Sequence, residues 1–439
     1  MNNKILSLIV ISLLTINFSY SFQTSKAKKF AKSITEKELS EHLYIYASDE
    51  FEGRDTGEPG QKKAVEYLRN YYKSIGIEPG DLEGDYFQEM TLTMRGRRGQ
   101  EPRTVETENV VAIIKGSEKP DEYVVITAHL DHVGVDDKGI YNGADDDGSG
   151  TVALLEIAEA FKKAADKGKG PKRSIVFLHV TGEEKGLLGS AYYADNPIYP
   201  LENTVVNLNV DMIGRIDPSR REKNRDYIYL IGSDHDSVDL HNLSEQTNAE
   251  SVNMTLDYRF NDKNDPNRFY YRSDHYNFAK NGIPIIFYFT GTHADYHKVT
   301  DTPDKIEYDL LEMRSRLIFY TAWNIANREK RLVVDPKPEK VAFEISRDDL
   351  KKFHGLYASD LMPLKFEVYT KSAKLAMNPV GMDQELVLEA TSKNTFKQEI
   401  AGIEVTFEEG TMKLKMQGRE ISFKVVPPTP KDSKATDIE

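Results

Sequence analysis

Residues 121–132, DEYVVITAHLDH, place His129 and Asp131 directly after an apolar, β-branched run. A continuous apolar run of this kind is typical of a strand that is buried on both faces of a sheet. Further runs of the same type recur along the chain with helical patterns between them: ENVVAII, SIVFLHV, NTVVNLNV, YIYLIG and IPIIFYF. The alternation predicts an α/β fold with a mostly parallel sheet sandwiched by helices.

The length of the chain, 439 residues, exceeds the usual size of one domain. A Pro-rich, charged segment, DPKPEK, predicts a linker at 335–342 after a large domain at 33–334. Short alternating runs such as LKFEVY and ISFKV then predict a small all-β accessory domain at 343–427, either a sandwich or a barrel. The polar end, 428–439, is predicted to be disordered.

The N-terminus has the pattern of a signal peptide. A lone Lys4 precedes an apolar run from Ile5 to Ile16, and small residues follow at Ser19 and Ser21. The run is shorter than the roughly 20 apolar residues that span a bilayer. We therefore expect a signal peptide at 1–21, export to the periplasm or the medium, and no stable membrane insertion after cleavage. An uncleaved anchor is the alternative.

Composition narrows the range of partners and ligands. The formal net charge is −13, which argues against a nucleic-acid partner because phosphate binding needs a basic surface. The chain has no cysteine. Disulfides, a thiol nucleophile and a thiolate metal site are therefore excluded, and any metal must be held by histidine and carboxylate.

Two acidic segments stand out. NGADDDGSG, 142–150, sets three adjacent acids before a helix, and they repel one another unless a cation lies among them or they turn to solvent. An acidic loop that caps the helix is the alternative. TGEEKGLLGS, 181–190, carries Glu183 and Glu184 after a strand, so that one can bind metal while the other accepts a proton from water. A charged first helical turn is the alternative there.

Two more segments place an acid or a histidine after a predicted strand. Asp211 follows NLNV directly, and Tyr296 and His297 follow IPIIFYF after a short loop. Each residue taken alone could be an ordinary turn or surface residue. Together the five segments offer His, Asp, Glu, Asp and His, the nitrogen and oxygen ligands that zinc prefers in hydrolytic sites. Because functional groups gather at the carboxyl ends of strands in α/β sheets, we expect a metal site at that edge.

These segments, in this order, resemble the M28 metallopeptidases, which include bacterial leucyl-type aminopeptidases with two zinc ions. The resemblance extends from about Leu43 to Asn327. It implies a zinc aminopeptidase-like fold, two Zn²⁺ ions per chain, and an exported aminopeptidase that acts on peptides with free N-termini. The segments that carry it are ASDEFEGRDTGEPGQKKAVEYL, AHLDH, GADDDGSG, GEEKGLLGS, NVDMIG, RSDHYNFAKNGIPIIF and DYHKVTDTPDKI.

The resemblance also implies a ligand set. His129 and Asp211 would bind one zinc, Glu184 and His297 the other, and Asp146 would bridge the two. Asp146 is chosen among the three adjacent acids because the bridging acid of the family stands two residues before the Gly of a D-x-[GA]-S-G run.

Further roles follow from the same resemblance. Glu183 matches the general base that deprotonates water shared by the two metals, and Asp131 matches the acid that orients His129. Tyr296 matches a phenol that polarises the substrate carbonyl, and Arg272 is similar to an arginine that contacts substrate.

Four histidines lie outside this set. We expect His179 in the core, His275 in support of its loop, and His132 and His293 along the cleft.

Three other functions remain open. A glutaminyl cyclase shares the fold and binds one zinc, a catalytically inactive binding protein can arise when the fold loses its ligands, and carboxypeptidase action depends on pocket residues that the sequence does not locate. The oligomeric state is not predicted.

Overall fold

The computed structural model describes residues 26–81, 84–94, 102–336, 343–382, 385–416 and 419–427. The chain divides into two compact units: the second contains the described residues after Pro336 together with Pro102 and Pro266–Tyr271, and the first contains the others. The predicted signal peptide 1–21 and tail 428–439 lie outside the described residues, as does the predicted linker beyond Pro336. The predicted domain boundaries stay predictions.

The first unit contains the longer helices. Helix α1 begins after Thr35, whose hydroxyl accepts a hydrogen bond from the Glu38 amide, and Pro59 stands at the start of α2, where its missing N–H costs nothing. Within the described residues, no helix is long and apolar enough to cross a membrane. The helices are α1 (Glu36–Tyr46), α2 (Pro59–Ser74), α3 (Gly150–Ala165), α4 (Leu188–Asp195), α5 (Val238–Glu250), α6 (His275–Ala279) and α7 (Tyr308–Asn327).

A nine-stranded sheet crosses this unit. Its order is β1-β3-β7-β4-β8-β11-β9-β10, and β2 pairs with β3. Strands β7, β4, β8 and β11 are mutually parallel, whereas β3 is antiparallel to β7 and β9 is antiparallel to β11. The strands are β1 (Glu78–Pro79), β2 (Phe87–Met94), β3 (Arg103–Ile114), β4 (Lys119–His129), β7 (Arg173–Val180), β8 (Thr204–Val210), β9 (Tyr227–Ile231), β10 (Thr255–Asp257) and β11 (Ile285–Phe289), with a separate hairpin of β5 (Val135–Asp136) and β6 (Gly139–Ile140).

The predicted α/β class is confirmed, and the sheet is mixed because β3 and β9 pair antiparallel with the parallel strands between them. Every residue of β7, β8, β9 and β11 is buried, so both faces of these strands are covered. This explains why they read as continuous apolar runs rather than alternating ones. Their side chains share one apolar core with α1, α2, α3 and α7.

The second unit is a closed antiparallel barrel of eight strands, in which the last strand pairs with the first. The predicted all-β domain is confirmed, and of the two predicted forms the barrel is the observed one. Its strands alternate buried and more exposed residues around an apolar interior. After a short helix, α8 (Arg347–Leu350), they are β12 (Gly355–Ser359), β13 (Met362–Lys371), β14 (Lys374–Pro379), β15 (Leu386–Ala390), β16 (Thr395–Gln398), β17 (Ile403–Glu408), β18 (Thr411–Met416) and β19 (Arg419–Val426).

Candidate metal centre

The parallel strands bring acids and histidines to one edge of the sheet. His129 is the last residue of β4, and Asp211 follows the last residue of β8. In the β4–β8 register Thr127 is opposite Asn209, so His129 and Asp211 lie side by side. His129 is also opposite the end of β7, shortly before Glu183. Strand order and register therefore explain why residues distant in sequence meet.

The turn at Ala144–Ser149 separates the roles of its three adjacent acids. The carboxylate of Asp147 accepts hydrogen bonds from the backbone amides of His129, Gly150 and Met212, at 2.9–3.1 Å. With both oxygens engaged, Asp147 connects β4, α3 and the loop after β8. It is therefore a positioning residue rather than a metal ligand, although its oxygens lie close to His129 and Asp211.

Asp145 is held in a comparable way. One carboxylate oxygen accepts from the Gly214 amide at 2.6 Å, and the other lies 3.1 Å from Nε2 of His293. The backbone amides of Asp145 and Asp146 in turn donate to the Asp301 carboxylate at 3.0 and 3.2 Å. These contacts turn Asp145 away from the centre and leave Asp146 as the acid of the turn that faces the two histidines.

The five predicted ligands come together around Asp146. Its Oδ1 lies 3.1 Å from Nε2 of His129, and its Oδ2 lies 3.0 Å from Nε2 of His297. Asp211 Oδ1 is 3.7 Å from the same nitrogen of His129, and Glu184 Oε2 is 3.1 Å from that of His297. Asp146 thus stands between a His129–Asp211 pair and a His297–Glu184 pair, which is the grouping that the resemblance implied.

His129 provides a test of whether these residues suit a cation. Its Nδ1 lies 3.0 Å from the backbone carbonyl of Asp131, which can only accept, so Nδ1 carries a proton. In the neutral ring, Nε2 then presents a lone pair to the carboxylates of Asp146 and Asp211, and it has no hydrogen-bond partner among the described residues. Lone pairs that face one another at these distances repel unless a cation binds between them.

The electrostatics lead to the same conclusion. Burial alone would lower the pKa of His129 and raise that of Asp146, yet the surrounding carboxylates raise the first and the histidines hold the second well below its usual range. The cluster therefore favours positive charge at its centre. Two imidazole nitrogens with three carboxylates is a donor set that zinc accepts, so the residues fit the metal.

His297 and His132 flank Glu184. His297 has a φ of 53°, a left-handed conformation that is uncommon for non-glycine residues and gathers at functional sites. His132 is fully buried, and its Nδ1 lies 2.9 Å from Glu184 Oε1 and 3.8 Å from Asp146 Oδ2. It was predicted to line the cleft, and the structure places it against Glu184.

Asp131 acts on both His129 and Glu183. The carbonyl of Asp131, rather than its carboxylate, contacts the His129 ring, and the carboxylate lies 3.9 Å from Nδ1. The carboxylate instead accepts from the Glu183 amide at 3.1 Å and from the Thr56 hydroxyl at 2.9 Å. The predicted orienting role therefore differs in detail, because the side chain of Asp131 fixes the backbone of Glu183.

Glu183 has the electrostatic environment of a proton acceptor. Burial raises the pKa of its carboxyl well above the usual range; His129 opposes this rise, and the carboxylates of Glu184 and Asp274 reinforce it. Burial also raises the pKa of Asp274 to about 7, and its Oδ1 accepts from the Ser190 hydroxyl at 2.5 Å. Asp274 was not predicted as a site residue, although it stands in the RSDH motif, as does Ser273, which donates to Asp211 at 2.7 Å.

Tyr296 and Arg272 lie at the edge of the cluster. The Tyr296 ring stacks on that of His297 with centroids 4.0 Å apart. Burial raises the pKa of the Tyr296 phenol, Asp146 and Glu184 add to the rise, and the positive charge of Arg272 opposes it. Tyr296 therefore stays protonated and able to donate. Arg272 itself is exposed.

The remaining histidines have structural surroundings. His179 is buried, its Nε2 lies 2.7 Å from the Tyr72 hydroxyl, and burial lowers its pKa to about 3, as suits a core residue. His275 is buried and stacks on Phe287. His293 contacts Asp145, outside the group of five.

The family comparison covers this part of the chain. The model for Peptidase family M28 matches residues 109–322, a span that contains all five predicted ligands. This part of the chain belongs to peptidase family M28, and residues 109–322 are called the M28 domain below. This chain is 28% identical over 269 residues to a protein named probable zinc metalloprotease from Pyrenophora teres f. teres, and the match covers 51% of this chain and 53% of that protein. This chain spans about half the length of the curated relatives that it matches.

Two further comparisons bear on the M28 domain. A protein named probable glutamate carboxypeptidase LAMP1, from Arabidopsis thaliana, is 33% identical over 138 residues, which is 31% of this chain and 18% of that protein. Among solved structures, the LapA aminopeptidase of Legionella pneumophila superposes with a TM-score of 0.53 at 20% identity, over 70% of this chain and 75% of that chain. At that identity the likeness establishes the fold.

Proposed function

We propose that this chain is an exported, zinc-dependent aminopeptidase that releases N-terminal residues from peptides, with Glu183 as general base. The observation that carries the proposal is the convergence of His129 and Asp211 with His297 and Glu184 on the two oxygens of Asp146. We further propose two ions per chain, because each histidine has its own second carboxylate and Asp146 serves both.

Glu183 would take a proton from the attacking water and pass it to the leaving amine. A buried carboxyl with a raised pKa suits this task, because it must hold the proton between the two steps. The bond from the Glu183 amide to Asp131 keeps the side chain at the edge of the metal cluster. When bound, zinc supplies a Lewis acid that polarises the carbonyl and makes water more acidic.

Tyr296 would donate a hydrogen bond from its phenolic O–H to the oxygen of the scissile carbonyl as negative charge develops there. A protonated phenol stacked on His297 supports this role, since a preformed donor stabilises an oxyanion more than the neutral carbonyl. Arg272, close to Tyr296, would contact the substrate.

The choice of a free N-terminus is supported by the M28 resemblance and by charge. A region rich in carboxylates attracts an ammonium group. Because one relative is named as a carboxypeptidase, cleavage at the C-terminal end of the peptide is the second candidate activity. Glutaminyl cyclase and non-catalytic binding are supported less well, because all five ligand positions and Glu183 are present.

The decisive assay uses a peptide with a free N-terminus, the same peptide with a blocked N-terminus, and one with an amidated C-terminus. We expect cleavage of the first and third and no cleavage of the second, with loss of activity on chelation. Cyclisation of N-terminal Gln with one metal per chain would instead identify a glutaminyl cyclase, and cleavage that requires a free C-terminus a carboxypeptidase.

The adjacent acids supply a matched pair of variants. Glu183→Gln should lower kcat by about 10²–10⁴-fold with zinc content unchanged, because it removes the base. Glu184→Gln should lower zinc content as well, because it removes a ligand. If Glu183→Gln kept full activity, or lost zinc to the same extent as Glu184→Gln, the assigned roles would be wrong.

Export is proposed from the pattern of residues 1–21. Fractionation of the native host followed by N-terminal sequencing of the mature protein tests it. A cytoplasmic protein that retains Met1 would contradict it.

A further inference from the structure

A second group of acids lies between α1 and α3, on helices rather than at strand ends. Glu38 is on α1, and Glu156 and Glu159 are one turn apart on α3. Carboxylate oxygens of these three residues lie within 4.8 Å of one another. His42, four residues after Glu38, presents Nε2 at 3.5 Å from Glu156 Oε1. Spacings of three and four residues put each pair on one helix face, so the two helices bring the three carboxylates together and set His42 beside Glu156.

The negative charge of this group is only partly balanced. Lys163 contacts Glu159 at 2.5 Å, and Thr35 donates to Glu38 at 2.8 Å. Glu156 is 1% exposed, and its Oε2 has no hydrogen-bond partner among the described residues. An isolated buried carboxylate oxygen beside two further acids is unfavourable unless the acid is protonated or a cation binds.

His42 has the environment of a metal-binding histidine. Its Nδ1 lies 2.6 Å from the Tyr67 hydroxyl, and the Tyr71 ring packs edge-on against it at 4.6 Å. If Nδ1–H donates to Tyr67, the lone pair of Nε2 faces Glu156. Imidazole ligands commonly donate their other ring nitrogen to a fixed acceptor in this way, which sets both the tautomer and the orientation of the ring. The separation of 3.5 Å between Nε2 and Glu156 Oε1 leaves room for both to bind the same ion.

We propose that Glu38, His42, Glu156 and Glu159 form a second divalent-cation site, distinct from the centre at the strand ends, that fastens α1 to α3. One nitrogen and three carboxylate oxygens make zinc the fitting ion, since imidazole favours zinc over calcium. The site is structural in character, because its donors come from two packed helices and Glu156 is buried. It does not depend on the proposed peptidase activity.

Zinc content measured on the full chain tests the proposal. After equilibrium dialysis against Zn²⁺, the Glu156→Gln variant should hold one ion per chain fewer than the parent, whatever number the other centre binds. Glu38→Gln should give the same loss. Added Zn²⁺ should also raise the unfolding temperature of the parent more than that of either variant, because an ion bound only to the folded state stabilises it.

Glu41→Gln is the matched control, since Glu41 is on the same helix as Glu38 and pairs with exposed Lys37. It should retain the zinc content of the parent. The competing explanation is that Glu156 is protonated and binds no metal. Because glutamine is close in shape to a protonated glutamate, this explanation predicts that Glu156→Gln keeps the zinc content and the stability of the parent. Equal zinc content in the parent, Glu38→Gln and Glu156→Gln, with Glu156→Gln as stable as the parent or more so, would mean that Glu156 is a neutral acid and would overturn the proposal.

Discussion

The large sheet and the barrel use their strands in different ways. All residues of β7 and β8 are buried, whereas β17 alternates buried and partly exposed positions around an apolar interior. A strand covered on both faces has no side chains left for chemistry except where it ends, so His129 and Asp211 stand at strand ends. In the described residues, the groups of acids and histidines able to hold a metal all lie in the first unit. The barrel strands serve packing, and the strand ends of the first unit carry the candidate metal ligands.

The largest effect is expected from truncating a large side chain in the barrel interior. Phe423 is fully buried and packs edge-on against Phe366 at 5.2 Å. Phe423→Ala should lower the free energy of unfolding of the barrel by about 3–5 kcal/mol, because it removes apolar contacts and leaves a cavity. Thermal or denaturant unfolding of the full chain measures this. Zinc content should equal that of the parent, since the barrel contributes no predicted ligand.

Val425→Ala, on the same strand at 49% exposure, is the control and should change stability little. A loss of zinc in Phe423→Ala would contradict the assignment of the barrel strands to packing and of the strand ends in the first unit to metal binding.

A smaller effect is expected at the edge of the metal cluster. Tyr296→Phe removes only the hydroxyl and keeps the ring that stacks on His297. We expect kcat to fall by about 10²–10³-fold, as for loss of an oxyanion donor, with stability and zinc content unchanged. Steady-state kinetics against Tyr44→Phe, an exposed tyrosine of α1, measures it. A rise in KM at constant kcat would show that the hydroxyl binds substrate without acting on the transition state.

The smallest of the three effects is expected from a change to Asp147, the acid next to Asp146. Asp147→Asn replaces an acceptor by an NH₂ group that faces a backbone amide, so at least one bond to His129, Gly150 or Met212 is lost. Zinc affinity should fall by about 10–100-fold, as is usual when a partner that orients ligands is removed. Titration against a competing chelator measures it, with exposed Asp137→Asn as the control. An affinity equal to that of the parent would show that Asp147 does not position the ligands.

Much of the fold and the location of the centre could be predicted because they depend on patterns local in sequence. Apolar runs followed by an acid or a histidine indicated β4, β7 and β8 and their functional ends. The mixed character of the sheet could not be predicted, because β3 is as apolar as a parallel strand where it is buried. Closure of the barrel depends on the pairing of β12 with β19, which no local pattern specifies.

Within the site, the residues alone left open which of the three adjacent acids binds. Only the resemblance pointed to Asp146, and the structure gives the physical reason, since backbone amides occupy Asp147 and both Gly214 and His293 engage Asp145. Asp274 was missed because its role depends on burial and on a tertiary contact with Ser190. The signal for the helix cluster was present in the spacing of Glu38 with His42, but its partner helix lies over a hundred residues away.

Three backbone amides donate hydrogen bonds to the Asp147 carboxylate, and they come from different parts of the fold. Small zinc domains fold around their ion and collapse when it is withdrawn. Here hydrogen bonds within the protein join the end of β4, the start of α3 and the loop after β8, so the backbone around the candidate centre is held by the fold itself. We therefore expect a chelator to withdraw the metal without unfolding the chain.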